Sequence, residues 1–95
     1  MPIPVRRLIA YYRSPAFAED HAYLDRYDPL AAEQQRHAII DSLNDNFATE
    51  GITPTRTELA VQAQFIAGEM PLAQMLEQVE LYVASIELRW PLEPL

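Results

Sequence analysis

The chain has no cysteine and no lysine. Without cysteine there is no disulfide framework, no thiol nucleophile and no thiolate zinc site. All seven cations are arginines, set against fourteen acids, for a net charge of −7. A phosphate-backbone binder needs clustered cations, so this balance argues against nucleic acid as a partner. It fits instead a basic surface on another protein. No apolar run approaches the roughly 20 residues of a membrane span. The opening "MPIPVRRLIAYYRSP" lacks the long apolar core and small-residue cleavage site of a signal peptide. These absences predict a cytoplasmic protein, bacterial in style, with no membrane partner. Only two glycines occur, Gly51 and Gly68. They are too far apart for a phosphate loop, and there is no G-x-x-x-x-G-K.

What is present is helix punctuation. The chain is 95 residues long, enough for one domain with one modest core. Half of its residues are hydrophobic, which predicts folding rather than disorder. Ser14-Pro15, Asp28-Pro29 and Thr53-Pro54 or Thr55 are plausible helix openings, because a first-turn proline lacks only an N–H that was unpaired anyway. Thr55 with Glu58 spells a capping box. Gly51 and Gly68 suit the left-handed position just past a helix end.

Between these marks the apolar residues repeat at helical spacing. Val5, Leu8, Ile9 and Tyr12 make one stripe, and Phe17, His21 and Leu24 a shorter one. A third helix is expected from Pro29 to about Thr49. Ile40, Leu43 and Phe47 line one of its sides; Ile39, Leu43, Asn46 and Glu50 line an adjoining one. A fourth should run from Arg56 to about Ala67, with Leu59, Ala63 and Ile66 as its apolar side and Val61 and Phe65 on another. A fifth, from Pro71 to about Leu88, carries the longest stripe: Leu72, Met75, Leu76, Val79, Tyr82, Val83 and Ile86. Its N-cap would be Met70, which has no capping group. No alternating strand pattern and no repeat is visible. The expected fold is all-α: a small helical bundle or hairpin of three main helices, with a short helical N-terminal extension over residues 1–30 and an apolar tail, "WPLEPL".

Catalytic constellations are missing. His21 and His37 have no second ligand at metal spacing, and read as ordinary surface or half-buried helix residues. Ser14, Ser42 and Ser85 lack a nucleophile elbow. Glu77 and Glu80 read as the wet face of the last helix. The sequence therefore predicts a protein that is not an enzyme and has no cofactor of its own. Tyr11, Tyr12, Tyr23, Tyr27 and Trp90 are either interface anchors or core filling. Arg6, Arg7 and Arg13 read as a solvated helix face.

Glu50 is harder to place. It sits on the last turn of the third helix, where the partial negative charge of the helix end disfavours an acid by about 0.3–1 kcal/mol when exposed. Asn46 and Glu50 are i, i+4 neighbours on one face. The string "NFATEG" is followed by "EGITP", a helix "TRTELAVQAQFIA" and "GEM".

In this order, from about Ile39 to Ser85, the chain resembles the VbhA-like antitoxins, small helical proteins that silence Fic-domain toxins. That family carries [S/T]-x-x-x-E-[G/N] at a helix end. Asn46, Glu50 and Gly51 occupy the motif positions here, with asparagine where the family has a hydroxyl residue. Pro54, Gly68 and Glu69 keep the family's intervals. The VbhA-like region would span residues 31–88 of a single 1–95 domain.

The resemblance implies a partner, a Fic-domain AMP-transferase that itself binds ATP. It implies that Glu50 pairs with an active-site arginine of that partner and occupies the place of the ATP γ-phosphate. Ile39, Leu43 and Phe47 would then seat the helix in an apolar groove of the partner. The generic alternative is a small acidic helical adaptor, or a transcriptional antitoxin, that binds another protein or DNA.

Overall fold

A computed structural model describes residues 4–89. Five helices follow one another: α1 (Val5–Tyr12), α2 (Pro15–Tyr27), α3 (Pro29–Thr49), α4 (Arg56–Ile66) and α5 (Leu72–Arg89). Among the described residues there is no strand. The architecture is all-α, and the tail containing Trp90 lies outside the described residues.

The boundaries are set by local chemistry. The Ser14 hydroxyl accepts from the Phe17 N–H at 3.3 Å, and the Asp28 carboxylate from the Ala31 N–H at 3.2 Å. Pro15 and Pro29 take the first helical positions behind them. Glu58 accepts from the Thr55 backbone N–H at 3.2 Å, and from its hydroxyl, at the start of α4. α3 and α4 end in the same way. Gly51 (φ 75°) lets Ile52 N–H reach Phe47 C=O at 2.7 Å and Gly51 N–H reach Ala48 C=O at 3.1 Å. Gly68 (φ 81°) repeats the pair with Glu69 N–H to Gln64 C=O and Gly68 N–H to Phe65 C=O. Both are Schellman endings, which satisfy carbonyls that a helix end leaves without partners. α5 begins one residue later than the spacing predicts. The Pro71 carbonyl accepts its first bond, from Met75 N–H, so Met70 is not the cap.

One core holds the bundle. α1 gives Val5, Leu8, Ile9 and Tyr12; α3 gives Ile39, Ile40, Leu43 and Phe47; α4 gives Phe65; α5 gives Leu72, Met75, Leu76, Val79 and Val83. α1 lies against α2, α3 and α5, so the N-terminal extension is a built-in layer of the core.

α4 buries a different face from the one expected. Leu59 is 51% exposed and Ala63 is exposed, while Phe65 and Gln62 are buried. The reason is polar. Gln62 and Asn44 exchange two side-chain hydrogen bonds, at 2.8 and 3.2 Å, which makes a glutamine tolerable inside. A polar residue outside the apolar stripe thus marks the buried side.

Candidate partner-binding site at the end of helix α3

The motif residues sit together at the C-terminal end of α3. Glu50 is its C-cap, exposed, with φ −91° and ψ 5°. Gly51 follows in the left-handed region, with nothing within 4 Å of where a Cβ would stand. The left-handed glycine turns the chain away at once, and the space at Gly51 itself is open. Asn46 is half-buried, and its amide donates to the Ser42 carbonyl at 2.8 Å, back along its own helix.

Glu50 has an intramolecular partner that local sequence reasoning missed. Its Oε2 accepts from the Val5 backbone N–H at 3.3 Å, across 45 residues of chain. Val5 is the first residue of α1, whose flanking residue Pro4 makes no side-chain cap and whose first turn holds no acid. Glu50 supplies the acceptor that α1 lacks. The acceptor comes from so far along the chain that no local pattern around Val5 points to it. A small cavity of about 100 Å³ surrounds the contact, lined by Pro4, Val5, Arg6, Ile52, Val83 and Ile86 as well as Glu50. The Tyr82 hydroxyl donates to the Thr53 carbonyl at 2.7 Å and fixes the connection that follows.

The expected docking residues are elsewhere. Ile39, Leu43 and Phe47 are 2%, 0% and 1% exposed, and they pack in the chain's own core. They are not surface available to a partner in this fold. The helical spacing was right, but that face is turned into the chain's own core, with α1, α2 and α4 packed on α3. What α3 leaves exposed over its second half is His37, Ala38, Asp41, Asp45, Ala48 and Thr49, a polar side with small gaps.

A second polar cluster ties α2, α3 and the end of α4 together. His21 is 6% exposed, more buried than expected. It stacks near Phe17 and Phe65, with ring centroids 6.5 and 5.9 Å away. Its Nδ1 lies 2.6 Å from Gln35 Oε1, and its Nε2 3.5 Å from Asp25 Oδ2. Arg36 Nη1 donates to Asp25 Oδ1 at 2.8 Å, and Arg36 Nε to the Ile66 carbonyl at 3.0 Å. The guanidinium thus sits at the negative end of α4, where a cation is favoured. These bonds account for the cluster as a clamp. His37 is exposed. Among the described residues no group of three His, Cys, Asp or Glu is placed to hold a metal ion, and no helix is long and apolar enough to cross a membrane.

The remaining surface readings divide. Tyr12 is core, whereas Tyr11, Tyr23 and Tyr27 are 59%, 62% and 65% exposed. Tyr23 and Tyr27 pair on the outer side of α2, 4.9 Å between centroids. Arg13 bonds Glu80 at 3.1 Å, and Glu77 is exposed.

No protein-family model, no curated protein and no solved structure matches the chain.

Proposed function

We propose that this chain is a cytoplasmic antitoxin that binds and inhibits a Fic-domain AMP-transferase, with Glu50 as the inhibitory residue. The ordered string from Asn46 to Glu69 carries the reading: acid at a helix end, glycine, proline, one three-turn helix, then Gly-Glu. The exposed position of Glu50 and the sharp turn at Gly51 are compatible with it.

The mechanism is substitution of one anion for another. A guanidinium that would hold the ATP γ-phosphate pairs instead with the Glu50 carboxylate, the strong charge-assisted type of hydrogen bond. The nucleotide is then held with its α-phosphate out of line for attack. Alignment supplies roughly 7–11 kcal/mol of such barriers, so a misaligned nucleotide is an inert one. The chain contributes no catalytic group and no cofactor; the ATP belongs to the partner.

The test is Glu50→Gly in the co-purified complex. The variant should still bind the transferase and should restore AMP transfer to a target hydroxyl. A Glu50→Gly complex that remains as silent as the wild type refutes the assignment.

A further inference from the structure

We infer that the N-terminus of α1 is an internal competitor for Glu50, a latch that a partner's cation must displace. The inference rests on the proposed function for the identity of that cation, but the latch itself is a property of the free chain. Glu50 lies at the negative end of its own helix, and one of its two carboxylate oxygens is engaged by the positive end of another. A guanidinium engages a carboxylate best through both oxygens at once. One of them, Oε2, is already held by Val5 N–H. Val5 is 2% exposed and fixed in the core, so α1 does not move aside freely. Pro4 and Arg6 line the same small cavity as the carboxylate, so a group approaching Glu50 from that side meets the first turn of α1. Engagement by a partner therefore exchanges the Val5 contact for an arginine. It leaves α1 without its acidic cap.

Val5→Pro separates this from a passive contact. Proline at the first helical position removes the N–H and keeps the helix. Pro4 already has φ −57° and ψ 144°, the extended conformation required before a proline. With the competitor gone, the dissociation constant for a Fic-domain AMP-transferase that co-purifies with this chain should fall by about three- to tenfold, the range a single helix cap corresponds to. Val5→Ala keeps the N–H and shortens the side chain, so it should not tighten binding. A Val5→Pro complex no tighter than wild type overturns the latch.

A second measurement needs no partner. Glu50→Ala should speed hydrogen exchange of the Val5 amide by about threefold or more, read by NMR on the free chain, because that amide loses its acceptor. An unchanged rate also overturns the latch. If Glu50→Gly restores AMP transfer while Val5→Pro fails to tighten, only the latch is wrong. If Glu50→Gly leaves the transferase silent, the functional reading is wrong, whatever Val5 does.

Discussion

Leu43→Ala decides which side of α3 is core and which is open to a partner. Leu43 is fully buried in the common core cluster. Truncating a buried leucine to alanine costs about 2–5 kcal/mol, the lost transfer energy plus the cavity left behind. A value near 3 kcal/mol, within that range, is expected for a side chain with no exposed surface. Domains of this size have a total stability of roughly 5–14 kcal/mol, so the loss is a large fraction. Each kcal/mol shifts the melting temperature by about 4–8 °C in a domain of 60–100 residues. The variant should therefore melt about 12–24 °C below wild type by far-ultraviolet circular dichroism. Asp41→Ala, on the exposed side of the same helix, is the control and should stay within about 0.5 kcal/mol of wild type. A Leu43→Ala chain that melts within about 2 °C of wild type but no longer binds the proposed transferase partner would refute the reasoning. It would return Leu43 to the docking surface.

Glu50→Gly and Val5→Pro, described above, test the inhibitory role and the latch. Arg36→Ala should cost about 1–3 kcal/mol in urea unfolding, because it strips the Ile66 carbonyl and Asp25 of a charged donor; Asp25 is half-exposed, which keeps its share of the loss small. A loss under about 0.5 kcal/mol would show that the clamp is decorative. Gly51→Ala should destabilise by about 1–2 kcal/mol through its left-handed backbone alone, since no atom lies near the added Cβ, and Gly51→Asn should recover part of that. Equal melting of Gly51→Ala and wild type would mean that the turn relaxes at no cost.

The elements were legible because their signals are local. Ser14-Pro15, Asp28-Pro29, Thr55 with Glu58, and the two glycines each act within about four residues, and each ends or starts a helix as its chemistry requires. The single-face stripes of α1 and α5 gave their buried sides for the same reason. Apart from the one-residue offset at the start of α5, the failures involve a partner far along the chain. Gln62 carries no apolar signal, and its burial depends on Asn44, 18 residues away, which bonds it. His21 reads as a surface or half-buried residue until Phe65 and Gln35 enclose it. Ile39, Leu43 and Phe47 carry an apolar pattern that is identical whether a foreign groove or the chain's own α1 covers it. Periodicity shows that a face is buried; it does not show against what.

The same limit changes the electrostatic case for Glu50. Read from its own helix, the carboxylate stands in an unfavourable field and calls for an outside cation. The folded chain puts the first amide of α1 beside it. A helix carries about half an elementary charge at each end, negative at the C-terminus of α3 and positive at the N-terminus of α1. The two contributions oppose one another at Glu50, so the residue is not a strained charge that any arginine would relieve. An inhibitory role therefore has to draw its energy from a better cation than α1 provides, a full guanidinium rather than a helix end. This makes the partner's arginine, and not the misfit of Glu50, the quantity on which the proposed inhibition depends.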